Sequence, residues 1–166
     1  VHTLRVWQML AFIGTLIFFL SAALPLISVQ FIVNFSISLF DVYGWVGHGS
    51  SVPENTGWAE SFSGIGVALF LIAALFPIVV IIGPASLLTS PKLSIIAGFL
   101  GIIYGLGSIF AILQLRLLIA QLGGPLGALV ASFIQIGYGV YGGILGSVVL
   151  LTSYPVATRE AKVASH

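Results

Sequence analysis

The chain contains 166 residues, of which 59% are hydrophobic and only 5% are charged, with no cysteine and a formal net charge of +1 at pH 7. Soluble globular domains carry about 25% charged residues, so this composition excludes an ordinary soluble domain and indicates an integral membrane protein. The five Lys and Arg residues are scattered along the chain, which excludes the basic cluster that a nucleic-acid-binding protein needs.

The few charged residues separate long uncharged segments, at 6–40, 61–91, 93–115 and 117–158. Each segment is longer than the roughly 20 apolar residues that a helix needs to cross the hydrocarbon core. The last segment is broken by Gly123, Gly124 and Pro125, so it provides one span. The sequence predicts one membrane domain over residues 1–166, an all-α four-transmembrane-helix bundle. Its approximate helices are 6–27, 62–82, 93–115 and 126–151.

The first span follows Arg5 and ends near Ser21, Ala22 and Ala23, an arrangement that also occurs in cleaved signal peptides. We expect this segment to be retained as a membrane anchor. It is the first of the four predicted spans.

The connector between the first two spans, residues 28–61, is long and has strand character. From Val29 to Phe40 apolar and polar residues largely alternate, which is typical of a half-buried strand. A second strand could return through the turn-rich segment 44–53. We therefore predict a small β-like extracytoplasmic loop. The same loop contains the N-glycosylation acceptor pattern at Asn34.

The third and fourth spans each carry small residues at spacings of three or four, which places them on one helix face. In lipid, helices associate through such faces because the hydrophobic effect does not drive them together. Two tryptophans of the outer loop are typical of the membrane–water interface. The candidate residues for helix packing or a subunit interface are Gly101, Gly105, Gly139, Gly143, Gly146, Trp45 and Trp58.

The distribution of basic residues predicts the orientation. An even number of spans places both termini on one side, which then holds Arg5, Lys92, Arg159 and Lys162, whereas the other side holds Arg116. Lys and Arg near helix ends favour the cytoplasmic side. We therefore expect both termini in the cytoplasm and a location in the plasma membrane.

Arg116 ends the third span close to the outer surface. The long aliphatic part of an arginine lets its charge reach the interface, where acidic residues of the outer loop are available. We predict an interfacial ion pair between Arg116 and Asp41, Glu54 or Glu60. The alternative is a site at Arg116 for an anionic headgroup or substrate.

Residues that bind metals or cofactors are scarce. The three histidines, His2, His48 and His166, lie outside the predicted spans, and the chain has one methionine and no cysteine. Haem, zinc and iron–sulfur sites need His or Cys ligands in defined positions. We therefore expect no cofactor, no metal and no catalytic residue.

A group of four polar side chains lies within the third and fourth predicted spans, and Phe and Leu residues surround it. Quinone or lipid headgroups could form hydrogen bonds with such side chains in an apolar pocket, although side chains of this kind also bond across helices. The candidate lipid or quinone pocket consists of Tyr104, Gln135, Tyr138 and Tyr141.

These observations favour a non-catalytic accessory or structural subunit of a larger membrane complex, in respiratory, electron-transfer or transport machinery. One alternative is a small homo-oligomeric carrier or channel, and another is a quinone- or lipid-binding membrane subunit. Carriers that couple transport to ions place ionisable residues inside their spans, and the predicted spans contain no acidic residue. The expected partners are membrane lipids and either other membrane-protein subunits or copies of the chain itself, and not nucleic acid.

Overall fold

A computed structural model describes residues 5–30, 34–47 and 58–165. The chain forms two compact units, and each is described by itself. Unit 1 comprises Val1–Ser21, Leu75–Gly105 and Tyr141–His166, and unit 2 comprises Ala22–Ala74 and Leu106–Val140.

The described residues form helices and one small sheet. The helices are α1 (Val6–Ser21), α2 (Leu39–Gly47), α3 (Trp58–Leu88), α4 (Lys92–Leu122), α5 (Gly124–Ser132) and α6 (Tyr138–Ala164). The strands are β1 (Pro25–Gln30), β2 (Asn34–Ser38) and β3 (Ile134–Ile136).

The mostly helical class is confirmed, and three helices are long and apolar enough to cross a membrane. They are Leu71–Leu88 within α3, Lys92–Leu122 and Tyr138–Ala164. The first helix, Val6–Ser21, is apolar but has only 16 residues. It ends before the predicted residue 27 because the chain enters β1 at Pro25, and a proline disfavours helical backbone at the residue before it.

The predicted helix over 126–151 is interrupted in the structure. Its first part is α5, β3 then occupies Ile134–Ile136, and α6 continues to Ala164. Gly137 explains the break, because its amide donates to the Leu26 carbonyl over 2.7 Å. A Cβ at Gly137 would overlap the Pro25 carbonyl oxygen, so only glycine allows this approach of the chain to β1.

The predicted β-like loop forms a hairpin that gains a third strand from a distant part of the chain. The strand order is β2-β1-β3 and both pairings are antiparallel. The register places Ser28 opposite Ser36 on one side and opposite Gln135 on the other. The predicted strand over 29–40 is therefore a hairpin followed by α2. Of the predicted return strand at 44–53, residues 44–47 are helical and the others lie outside the described residues.

In unit 1 the four helical segments alternate in direction. Gln8 of α1 donates through Nε2 to the Leu87 carbonyl of α3, and Phe18 stacks on Phe76, with ring centroids 5.3 Å apart. Residue numbers rise along α1 while they fall along α3, so these helices are antiparallel.

Helix α6 runs antiparallel to both α1 and α4. The Val6 amide at the start of α1 donates to Glu160 Oε1 near the end of α6. Ser153 of α6 donates to Ser94 at the start of α4 over 2.8 Å, and Gly105 further along α4 faces Ile144 near the start of α6. Unit 1 is therefore an antiparallel bundle of segments from α1, α3, α4 and α6.

A capping box starts α2. The Ser38 amide and hydroxyl donate to Asp41 Oδ2 over 2.7 and 2.8 Å, and the Asp41 amide donates back to Ser38 Oγ over 3.3 Å. These reciprocal bonds satisfy backbone donors that the first helical turn leaves without partners. They also hold the pKa of the Asp41 carboxyl below its ordinary value of 3.8, with the backbone bond from Ser38 as the largest cause.

The capping box predicts how α2 responds to substitution of Asp41. Asp41→Ala removes both acceptor bonds and should raise the hydrogen-exchange rate of the amides in 38–47 several-fold. Asp41→Asn keeps a neutral acceptor oxygen and should fall between wild type and alanine. Equal exchange in all three proteins would contradict the capping role.

The lowered pKa of Asp41 also predicts a dependence on pH. A carboxyl whose folded pKa is depressed stabilises the fold above its unfolded pKa, and this contribution is lost as the pH falls through the folded pKa. Protection of α2 against exchange, corrected for the intrinsic rate, should therefore decrease below about pH 3.8. The Asp41→Asn protein should not show this decrease.

Candidate functional site

A close backbone contact in unit 1 joins α1 to α6 through two glycines. A Cβ at Gly14 would lie 2.9 Å from the Gly146 carbonyl oxygen, and a Cβ at Gly146 would lie 2.6 Å from the Phe18 amide nitrogen. Real Cβ atoms do not approach backbone atoms so closely. The two backbones therefore touch only because neither residue has a side chain.

Glycines of α4 make similar contacts with side chains of α6. A Cβ at Gly101 would overlap Ser147 Oγ, and one at Gly105 would overlap Ile144 Cγ1. A Cβ at Gly143 of α6 would lie 3.1 Å from Tyr104 Cε1. The predicted packing residues Gly101, Gly105, Gly143 and Gly146 are thus buried in unit 1, and Gly139 is buried in unit 2.

An aromatic cluster of Phe18, Phe76 and Tyr104 fills the core of unit 1. The Tyr104 ring meets Phe18 edge-on at 5.2 Å between centroids and lies 6.0 Å from Phe76. Phe18 and Tyr104 are fully buried. Aromatic contacts of this geometry contribute about 0.5–1.5 kcal/mol each beyond burial, so the cluster fixes the spacing of α1, α3 and α4.

Buried hydroxyl groups in unit 1 bond mainly to their own helices. Thr15, Ser86 and Ser147 donate to carbonyl oxygens three or four residues earlier. Ser153 also bonds to Ser94 of α4. These bonds satisfy polar groups that would otherwise be costly to bury.

One end of unit 1 carries a group of basic residues. The bonds from Gln8 to Leu87 and from Val6 to Glu160 bring together the start of α1, the end of α3 and the end of α6, and the contact of Ser94 with Ser153 adds the start of α4. The exposed basic residues of these segments are Arg5, Lys92, Arg159 and Lys162.

A groove runs between α1 and α3 in unit 1, with a volume of about 280 Å³. Thr15 provides its one polar side chain. A Cβ at Gly83 would overlap Thr15 Oγ1, so α1 and α3 touch at this pair while larger side chains on both sides stand apart. The groove is lined by Phe12, Thr15, Leu16, Phe19, Val80, Pro84 and Leu87.

Two members of the predicted ion pair, Arg116 and Asp41, have other hydrogen-bond partners in unit 2. Arg116 Nε donates to the Ala131 carbonyl over 3.3 Å, and the Asp41 carboxylate belongs to the capping box. Glu54 lies outside the described residues, and Glu60 lies in the first turn of α3.

The residues of the predicted lipid or quinone pocket occupy different environments. Tyr104 belongs to the aromatic core of unit 1, whereas Tyr141, also in unit 1, is 53% exposed. In unit 2, Tyr138 is 77% exposed and Gln135 is an exposed residue of β3. The regular i, i+3, i+6 spacing that linked the last three residues required one continuous helix, and the strand interrupts it.

The remaining predicted residues are placed by the secondary structure. Trp45 lies in α2 and Trp58 is the first residue of α3. Within the residues that the structure describes, no group of three or more His, Asp or Glu side chains could hold a metal ion.

Two features were missed at the sequence level although each has a signal there. The α1 wall of the groove consists of Phe12, Leu16 and Phe19, whose spacing of four and three marks one helix face. The capping box has the sequence signature of a serine followed three residues later by an acid, at Ser38 and Asp41.

In comparisons with known proteins, no family model, curated sequence or solved structure matches the chain.

The glycine contact between α1 and α6 gives a direct test of packing. Gly146→Ala forces backbone atoms apart and should destabilise the protein by about 1–3 kcal/mol, the usual cost of overpacking. The matched control is Gly107→Ala in α4, where, among the described residues, the new Cβ would meet Ile72 Cγ1 at 3.7 Å. That change should be neutral or stabilise the helix by up to about 1 kcal/mol. Thermal unfolding in detergent measures both, and equal midpoints would contradict the packing argument.

Proposed function

We propose that the chain is a non-catalytic subunit of a larger membrane assembly. In this proposal the chain crosses the plasma membrane four times and has both termini in the cytoplasm. The four spans are α1, α4, α6 and the apolar part of α3. Three of them have the required length and composition. Support for α1 as the fourth comes from its antiparallel contacts with α3 and α6 in unit 1.

The length of α1 is compatible with this proposal. Sixteen residues at about 1.5 Å per residue extend about 24 Å, less than the roughly 30 Å of the hydrocarbon core. Local thinning of the bilayer and flanking residues accommodate a short span at modest cost. The start of α1 lies with the other basic helix ends, and this end would face the cytoplasm.

The absence of cysteine from the sequence makes the topology directly testable. Single cysteines should react with a membrane-impermeant maleimide from opposite sides in two groups. The extracytoplasmic group is Ser36→Cys and Ser132→Cys, and the cytoplasmic group is Val6→Cys, Thr89→Cys and Ser165→Cys. Labelling of Val6→Cys together with the first group would show that α1 does not cross.

One observation carries the assembly proposal: two aromatic side chains are exposed in the segment between the first two proposed spans. Phe35 of β2 is 54% exposed and Phe40 of α2 is 51% exposed. Aromatic residues are enriched at protein interfaces, where a few buried anchor residues carry most of the binding energy. Outside the hydrocarbon core, such side chains gain most from burial against a partner subunit.

The helix that carries Phe40 is fixed in unit 2, which favours a preformed docking surface. Leu39 and Val42 of α2 are buried, and the Tyr43 hydroxyl donates to the Ala73 carbonyl of α3. Burial raises the pKa of Tyr43, so the hydroxyl stays protonated as a donor near neutral pH. A surface held rigid before binding loses less entropy when a partner docks.

The test compares two double variants in native membranes. Phe35→Thr with Phe40→Gln keeps strand and helix preferences but removes the aromatic surface. Phe35→Leu with Phe40→Leu keeps an apolar surface and is the control. After gentle detergent extraction, subunits that copurify in fixed ratio with wild type should decrease at least tenfold with the first variant and much less with the second.

Two outcomes would contradict the proposal. The chain could be extracted only with copies of itself, which is what a homo-oligomeric carrier or channel would do. Alternatively, the partner subunits could remain bound in full to the polar double variant, which would exclude the surface at Phe35 and Phe40 as the docking site.

A further inference from the structure

We propose that the groove between α1 and α3 binds one acyl chain of an anionic glycerophospholipid, with its phosphate at the basic end of unit 1. This inference rests on the proposed insertion of the bundle into a membrane. It does not depend on the proposed partner subunits. The site is distinct from the group of tyrosines and Gln135 predicted at the sequence level.

The shape and chemistry of the groove fit a hydrocarbon chain. Its walls are apolar side chains of α1 and α3, and its single polar residue, Thr15, bonds to the Ala11 carbonyl of its own helix. Along α1 the walls extend from Phe12 to Phe19, about 10 Å at 1.5 Å per residue. The contact of Thr15 with Gly83 closes the groove at this level towards the interior of the bundle.

One end of the groove leads to the basic residues. Leu87 lines the groove, and its carbonyl accepts the bond from Gln8 Nε2. Gln8 Oε1 in turn accepts the amide of Arg5 over 3.0 Å. These two hydrogen bonds of Gln8 therefore hold the start of α1 beside the end of α3. Arg5 lies seven residues before Phe12 along the chain, about 10 Å along a helix axis.

Charge selects the headgroup. Arg5 at the start of α1 and Lys92 at the start of α4 are exposed cations, and Lys92 follows α3 after a short link. Among the described residues of these helix ends the acid is Glu160, which accepts the Val6 amide. The end of the groove is therefore net positive. It should attract a lipid with a net negative headgroup over a zwitterionic lipid with the same acyl chains.

The experiment titrates the purified full chain with phosphatidylglycerol or phosphatidylcholine of identical acyl chains and counts bound lipids by native mass spectrometry. Wild type should retain one phosphatidylglycerol in preference to phosphatidylcholine. Arg5→Gln should reduce this preference about fivefold, the usual effect of one cation near an anionic lipid. Arg116→Gln in unit 2, outside the basic end of unit 1, is the charge-matched control and should change it less.

A second variant tests the groove itself. Val80→Phe places a ring in the groove and should reduce retention of both lipids, whereas Leu106→Phe, on an exposed face of α4, should not. Phosphatidylglycerol with a photoreactive acyl chain should crosslink to peptides containing residues 12–19 and 80–87, and Val80→Phe should suppress this crosslink. Thermal unfolding of both variants verifies that they are folded, so the crosslinking compares folded proteins.

Three results would overturn the inference: equal retention of both lipids, equal effects of Arg5→Gln and Arg116→Gln, or unchanged crosslinking in Val80→Phe. Because these measurements use the isolated chain, they are independent of the copurification of partner subunits. Labelling of Val6→Cys together with the extracytoplasmic group, in contrast, would contradict the four-span topology and would leave the lipid measurements unchanged.

Discussion

The backbone contact between Gly14 and Gly146 is the constraint on which the rest of unit 1 depends. In the membrane setting that we propose, burying apolar side chains provides little driving force, because lipid is equally apolar. Dispersion at contact distance must then hold the helices together, and it weakens steeply with separation. Phe18, one turn after Gly14, lies on the same face of α1 and meets Phe76 and Tyr104 in the core of unit 1.

The long apolar helices were predictable from sequence because a charged side chain is costly to place inside a membrane-spanning helix, whereas α2 and the break between α5 and α6 were not predicted. The positions of the few charged residues therefore set the limits of the apolar segments. The strand β3 was not predictable in the same way. Its three residues, Ile134, Gln135 and Ile136, are a short apolar run with one polar member. What makes them a strand is pairing with β1, and local periodicity contains no information about a partner so distant in the chain.

The candidate sites show the same difference between local and distant interactions. Asp41 bonds to Ser38, three residues away, where little chain entropy is lost in closing the contact. The predicted ion pair of Arg116 with Asp41, Glu54 or Glu60 was based on charge and depth, and for Asp41 the structure adds a nearer partner, Ser38. The cluster of Gln135, Tyr138 and Tyr141 failed as a helix face for a related reason, because its spacing assumed helix through Gly137. Sequence therefore indicated which residue types were unusual, and the structure was needed to assign their neighbours.

The groove follows from the same packing that makes α1 fit closely against α6. Gly14 and Phe18 face the interior of unit 1, whereas Phe12, Leu16 and Phe19 lie on the groove side of the same helix. Small residues on one face of α1 let it pack closely against α6, and bulky residues on its other face keep it from closing fully on α3. Unfilled apolar volume inside proteins costs about 24 cal/mol per Å³. In the membrane that we propose, a space of about 280 Å³ open to lipid would be filled by a hydrocarbon chain. The cations at its end then decide which headgroup that chain carries.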